Sequence, residues 1–318
     1  MICGVWRRKG KMAVNVVESK EWYLAGYAAE GVPTTDHLTL RSVPLSLSLD
    51  SIPDAHVAVQ LLFISVDPYL RTRMSGQEDG LYFPQFNLNQ YCVVPSSVLI
   101  RKIDPEAGIP LPEYLSCLGV PGFAAWVGIE VLGEAKPGSN AFISAAAGGV
   151  GMVAGQLAKL KGCRVIGSTG SDAKVRLVKE EFGYDDAFNY NKETDFDAAL
   201  SKYFPNGIDI YLENVGGKML EAVLNHVNPH ARIPVCGMIS QYNQLVVLLY
   251  DPSLLGFQIP CMMQIWTERE GMEGYLKQSK ISSKIKIYEG IQSFAESLGS
   301  LFSSSNFGKV VIEVNKPR

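Results

Sequence analysis

Between Asn140 and Lys161 the chain reads NAFISAAAGGVGMVAGQLAKLK. Ala141–Ser144 has the content of a short buried strand. Ala145 to Gly151 is a run of small residues, and from Gly151 to Lys161 apolar positions recur at helical spacing (Met152, Val153, Leu157, Leu160, with Gln156). Strand, glycine turn and helix in this order leave few folds open. Small side chains let the turn close and let its backbone approach a pyrophosphate. The helix start then offers free N–H groups and a positive dipole end. The pattern is A-x-G-x-x-G over Ala146, Gly148 and Gly151, with Gly149 and Val150 between them. Alone, it also suits a helix packed tightly on a strand.

The residues downstream of the turn decide between these readings. Strand-like Cys163–Ser168, Asp186–Tyr190, Ile208–Leu212 and Arg232–Met238 alternate with helix-like Asp172–Phe182, Asp195–Tyr203 and Lys218–His226. Such alternation predicts an α/β fold with a doubly wound parallel sheet, the glycine turn being its first corner. A site for NAD places an acid ~20 residues past the glycines, at the end of the second strand. Here that end reads Gly167-Ser168-Thr169-Gly170, without a carboxylate. Lys174 comes next, suited to a 2′-phosphate, and Ser168, Thr169 and Tyr190 can add hydroxyls. NADP is therefore the expected cofactor. Asp172 is read as the cap of the next helix. For Lys174 the plainer reading is a solvated lysine on a first helical turn.

Upstream, Val14 to Ile64 is β-rich, with strand content at Trp22–Ala25, Leu38–Pro44 and Ala58–Val66. Asp67-Pro68-Tyr69-Leu70-Arg71 is the turn after the last of these. Tyr69 at a strand end is a site candidate, or else a plug for the domain edge. Glu78–Gln90 reads as an aromatic loop and Tyr91–Val94 as a strand. Tyr114–Leu118 and Phe123–Leu132 read as helical, broken at Gly119–Gly122. Met1–Lys11, with Arg7, Arg8, Lys9 and Lys11, reads as a disordered extension.

The totals narrow the functional classes. Across 318 residues the net charge is −3, which gives no global attraction to nucleic acid. No apolar run reaches the roughly 18 uninterrupted residues of a membrane span. The nearest, Leu245 to Met263, is broken by Asp251, Pro252 and Pro260. Six scattered cysteines without a C-x-x-C pair and four histidines without ligand spacing argue for reduced thiols in a cytoplasmic protein and against zinc.

Several stretches carry a family likeness: Asp67–Leu70 (DPYL), Leu118–Phe123 (LGVPGF), Ser144–Gly151 (SAAAGGVG), Gly167–Lys174 (GSTGSDAK), Ala187–Tyr190 (AFNY), Asn214–Gly217 (NVGG) and Cys236–Asn243 (CGMISQYN). The chain resembles the zinc-independent medium-chain reductases, above all the plant NADP-dependent alkenal double-bond reductases akin to prostaglandin reductases. The likeness covers most of Met12–Asn243 and Trp266–Asn315. It implies a Rossmann domain over 121–285 and a discontinuous GroES-like β-rich catalytic domain over 12–120 and 286–318.

The resemblance also implies roles. Ala146, Gly148, Gly149, Val150 and Gly151 form the dinucleotide turn. Gly170, Lys174 and Tyr190 match contacts to the phosphorylated adenosine. Pro68, Asn214, Cys236 and Asn306 match cofactor contacts, the middle two nearer the nicotinamide end. Tyr69 and Tyr242 match tyrosines that face substrate, with Tyr242 also near the cofactor. The implied reaction is hydride transfer from NADPH to the β-carbon of an α,β-unsaturated aldehyde or ketone, with Tyr242 donating to the carbonyl oxygen. Quinone reduction within the same superfamily is the alternative chemistry. A homodimer is implied as well.

Two departures cut across the likeness. At Gln90-Tyr91 the family carries several dozen further residues, including glycine-rich strands. After Asn243, Gln244–Gln264 is foreign to the family, Ile265–Gly271 returns, and Gly271-Met272 skips a block holding the sixth sheet strand. That strand commonly lies at the subunit interface. Both domains are thus expected to be incomplete, as after skipped or misjoined exons. The second functional expectation is accordingly a non-catalytic or unstable variant that retains at most nucleotide binding.

Overall fold

The computed structural model describes residues 2–5, 16–48, 51–76, 87–98, 101–244, 271–303 and 306–316. The aromatic residues expected in a loop at 78–86 and the foreign stretch beyond Gln244 lie outside the described residues, as does 265–270. The N-terminal part contributes β1 (Ile2–Val5), β2 (Val16–Leu24), β3 (Leu38–Ser46), β4 (His56–Val66), β5 (Asn87–Asn89) and β6 (Tyr91–Pro95). The middle contributes α1 (Val120–Trp126), β7 (Asn140–Ile143), α2 (Gly151–Leu160), β8 (Arg164–Thr169), α3 (Asp172–Glu180), β9 (Asp186–Asn189), α4 (Phe196–Tyr203), β10 (Ile208–Leu212), α5 (Gly217–Leu224) and β11 (Val227–Arg232). The C-terminal part adds α6 (Gly271–Lys277), β12 (Ile285–Glu289), α7 (Phe294–Ser300) and β13 (Lys309–Glu313).

The middle elements build a parallel sheet in the order β11-β10-β7-β8-β9. Its strands other than the polar edge strand β11 are apolar on both faces because helices cover both. In β7, Phe142 faces one core, stacked between Tyr211 and Phe188 at centroid distances of 5.1 and 5.9 Å. Ala141 and Ile143 face the other core, with Met152, Val153 and Leu157 of α2. The chain runs outward from β7 to β9, then returns to lay β10 on the opposite side of β7. The carboxyl ends of β7 and β10 therefore flank the crevice where doubly wound sheets take ligands.

The expected fifth strand, Arg232–Met238, is displaced. The strand is Val227–Arg232, and Val235 adds only an isolated bridge to Glu213. Pro234 explains the break, because it has no N–H to donate to a ladder. The break expected at Gly119–Gly122 is instead the start of α1, with Pro121 in its first turn. A Cβ on Gly122 would collide with the Cys117 carbonyl oxygen, so the glycine serves close packing rather than a stop.

β4 organises a second sheet, β1-β4-β13-β12, with β6 also on β4. Val59 and Gln60 of β4 pair with both β1 and β6, so these two strands lie on opposite edges of β4. The expectation of a disordered Met1–Lys11 is corrected in part, since Ile2–Val5 forms β1. An open strand edge is a template for pairing, and β1 occupies one. β3-β2-β5 forms a third sheet, tied on by Trp22, whose Nε1 donates to Ile291 O at 2.7 Å. Among the described residues no helix is long and apolar enough to cross a membrane.

β13 returns the chain's end to β4, and a buried ion pair marks the junction. Lys309 Nζ lies 2.5 Å from Asp67 Oδ1 and donates to Val66 O at 2.8 Å. Ser65 Oγ donates to the other carboxylate oxygen. Lys309→Met leaves Asp67 buried without its cation, a change that typically costs about 3–5 kcal/mol. Urea unfolding is expected to show that loss as a lower midpoint, and Lys309→Met combined with Asp67→Leu is expected to recover much of it.

Candidate active site

The glycine turn begins where β7 ends. Ala145 adopts a left-handed backbone (φ 50), and Gly148 N donates to Ala145 O at 2.8 Å. A Cβ on Gly151 would collide with the Ala145 carbonyl and stand 2.7 Å from Ala146 Cα, so the first turn of α2 presses directly on the corner. No side chain caps that helix. Its leading N–H groups suit an anion. Gly308 N donates to Ala147 O at 2.7 Å, and Gly308 forms a parallel bridge with Gly148. This brings Asn306 to the turn, where its Oδ1 is buried without a partner. An orphaned buried acceptor beside a cradle that excludes a Cβ fits a bound dinucleotide.

A second group gathers at the end of β8. The Tyr190 hydroxyl lies 2.7 Å from where a Cβ on Gly170 would stand, and Asn191 Nδ2 donates to Gly170 O at 2.8 Å. Ser171, not Asp172, caps α3, accepting from Lys174 N at 3.3 Å. Asp172 instead pairs with Lys192 at 2.5 Å and accepts from Asn189. Lys174 is half-buried, and among the described residues no carboxylate meets its ammonium. Burial holds its pKa below the usual lysine range and raises that of Tyr190. Ser168 Oγ is also buried without a partner. A half-buried cation near an orphaned hydroxyl is suited to a phosphate.

The third group lies across β7, at the end of β10. Asn214 N donates to Ser144 Oγ at 2.9 Å and Asn214 Nδ2 to Ser144 O at 2.8 Å. Cys236 N donates to Glu213 O at 2.8 Å. Burial, reinforced by the Glu213 charge, pushes the Cys236 thiol up to about 12, so it is protonated. Tyr242 lies in a turn rather than at a strand end. Its Oη accepts from Met238 N at 3.0 Å. Ile239 N donates to Asn214 O at 3.0 Å and Ser240 N to Val215 O at 3.1 Å, fastening that turn to the Asn214 loop.

Pro68 and Tyr69 open a 3-10 turn directly after Asp67. Tyr69 is partly buried against an apolar cluster that includes Val66, Leu70 and Met74. The Lys309 stem lies 3.5 Å from where a Cβ on Gly149 would stand, so the ion pair connects this turn to the glycine corner. Arg71, fully buried, donates from Nε to Gly31 O at 2.7 Å and to Asn243 Oδ1 at 3.2 Å. Ala146–Gly151, Asn214, Cys236 and Asn306 thus converge on the carboxyl ends of β7 and β10. Gly170, Lys174 and Tyr190 form a separate cluster on the far side of β7. Ser144, Glu213 and Lys309 went unassigned from the sequence. Their signal was polarity at the ends of apolar strands. Among the described residues no group of three or more His, Cys, Asp or Glu is placed to hold a metal ion.

Comparison with known proteins matches residues 149–277 to the family described as zinc-binding dehydrogenase. A 2-alkenal reductase (NADP(+)-dependent) of Nicotiana tabacum is 34% identical over 352 residues, covering 94% of this chain and 98% of the relative. That alignment is longer than the 318-residue chain itself, so the relative has residues that this chain lacks. The (+)-pulegone reductase of Mentha piperita is 33% identical, covering 95% of this chain and 100% of that protein. The crystal structure of CurA in complex with NADPH from Vibrio vulnificus superposes with a TM-score of 0.77 at 27% identity, covering 93% of this chain and 100% of that one.

Lys174→Ala is expected to weaken a 2′-phosphorylated nucleotide roughly 10- to 100-fold, the worth of one charge-assisted hydrogen bond. The unphosphorylated counterpart should be unaffected. In the unaltered chain the preference for the phosphorylated form should be full near neutrality and shrink as pH rises. Burial makes Lys174 lose its proton before an ordinary lysine would. Fluorescence titration with NADPH and NADH across that range reads both effects.

Proposed function

The chain belongs to the medium-chain dehydrogenase/reductase family, among its NADP-dependent alkenal and enone reductases, and from that footing we propose that it reduces the α,β double bond of 2-alkenals and enones with NADPH. The observation that carries the reading is the cradle at Gly151, with the buried, unpartnered Asn306 Oδ1 on the segment bridged to it.

NADPH bound there supplies the hydride that the β-carbon receives. The chain's own residues bind, orient and protonate. Ala146, Gly148, Gly149, Val150 and Gly151, with the first N–H groups of α2, hold the pyrophosphate. Gly170, Lys174 and Tyr190 hold the 2′-phosphorylated adenosine. Asn214 and Cys236 meet the nicotinamide end, and Asn306 and Pro68 also contact the cofactor. Cys236, kept as a thiol, brings no competing charge there.

As the double bond is reduced, negative charge gathers on the carbonyl oxygen. Tyr242 donates a hydrogen bond to that oxygen, an interaction stronger in the transition state than in the ground state. The bond from Met238 N holds the phenol oxygen for this role. Tyr69 faces the substrate from the other wall. The α-carbon then takes a proton from Tyr242 or from water. In this reading 121–285 is the nucleotide-binding domain, 12–120 with 286–318 is the catalytic domain, and the enzyme works in the cytoplasm.

Purified chain with NADPH and 4-hydroxynonenal is expected to consume NADPH and yield the saturated aldehyde. Consumption with quinones but with no enal or enone would overturn the proposal. Tyr242→Phe should lower kcat roughly 100- to 1,000-fold, the usual worth of one oxyanion donor, with little change in KM. Steady-state kinetics on the same enal checks this.

A further inference from the structure

We propose that Glu213 is a positioning residue that shapes the Asn214–Gly217 loop to receive the nicotinamide end of the cofactor, leaving the adenosine end untouched. The inference rests on the reading that this site binds NADPH.

Glu213 is fully buried just past the end of β10, beside the crevice between β10 and β7. No cation faces its carboxylate among the described residues. Four donors do. Val215 N and Gly216 N donate to Oε1, the second at 2.9 Å. Ser144 Oγ lies 3.3 Å from the same oxygen, its one proton shared with Leu212 O at 3.2 Å, and Tyr211 Oη donates to Oε2 at 2.8 Å. An ionised carboxylate withdrawn from water is retained only when donors surround it, and an apolar residue there would cost less. Something other than burial therefore explains it.

The geometry supplies that reason. Two of the donors are successive backbone N–H groups of the loop itself, so the carboxylate curls the loop around one oxygen. The left-handed backbones of Gly216 (φ 76) and Gly217 (φ 59) complete the curl. Ser144, the last residue before the glycine turn, joins the same oxygen and accepts from Asn214 N. Asn214 Nδ2 is committed to Ser144 O, so its carbonyl oxygen is the end left to meet a ligand. The loop then fixes the turn that carries Tyr242, through Asn214 O and Val215 O. The adenosine cluster at Gly170, Lys174 and Tyr190 lies across β7, apart from this network.

The test measures the Kd of two nucleotides, NADPH and 2′,5′-ADP, on the full chain and on Glu213→Gln. Glutamine keeps the shape but removes the charge. The expected result is NADPH affinity lowered about tenfold or more. The blue shift of bound dihydronicotinamide fluorescence should be diminished, and 2′,5′-ADP affinity unchanged. Equal weakening of both nucleotides, or no change in either, would overturn the proposal. Should Glu213→Gln not fold, Ser144→Ala carries the same comparison, with the same selective loss expected and the same two outcomes against it. An unaltered chain that binds neither nucleotide would instead refute the cofactor reading itself.

Discussion

A lysine ammonium withdrawn from water must be met by a carboxylate and by carbonyls, and Lys309 meets Asp67 and Val66 O. Such a pair adds little net stability over an apolar filling, but it tolerates few arrangements of its surroundings. Its members come from opposite parts of the chain. Asp67 directly precedes Pro68-Tyr69. Lys309 directly follows Gly308, which is bridged to the glycine corner at Gly148. The lysine's aliphatic stem runs beneath Gly149. One buried charge pair thereby fixes the tyrosine turn, the C-terminal segment with Asn306, and the glycine corner relative to one another.

The parallel sheet supplies the other half of the site. Apart from the edge strand β11, its two-sided apolar core leaves polar residues where strands end, and the ends of β7 and β10 carry Ser144, Glu213 and Asn214. These side chains are spent on one another and on backbone groups rather than on solvent. The result is a rigid rim at the crevice, from which the Tyr242 turn is suspended. The cluster around Lys174 is built differently, from a half-buried cation and the buried Ser168 hydroxyl without a partner. A rim whose hydrogen bonds are satisfied holds a shape, whereas unsatisfied groups await a ligand.

The β-rich part carries buried polar atoms without partners. Asn89 Oδ1, beside Gln90-Tyr91, is buried without a partner, as are both terminal nitrogens of Arg71. Burial lowers the Arg71 pKa, which restates the cost of keeping its charge there. Ile2–Val5 pairs along one edge of β4, so the chain's own start fills an open ladder. The glycine corner has backbone contacts from Ala145 to Gly151 and a bridge to Gly308.

The parallel sheet and the glycine corner were legible from the order of residues, because both are written locally. Apolar strands and helices alternate, and glycines stand where neighbouring backbone forbids a Cβ. The lack of an acid after β8 and the presence of Lys174 were equally local, and so was the family likeness carried by contiguous motifs. The remainder emerged only on folding. The fifth strand shifted, because Pro234 matters only once a ladder requires its N–H. The cap of α3 went to Ser171, because Asp172 found Lys192 from a different loop. Ile2–Val5 became a strand, because the edge of β4 was there to pair with. Asp67 joined Lys309 and Glu213 joined Ser144, pairs far apart in sequence whose charges and hydroxyls gain meaning only when burial removes water and leaves each other as partners.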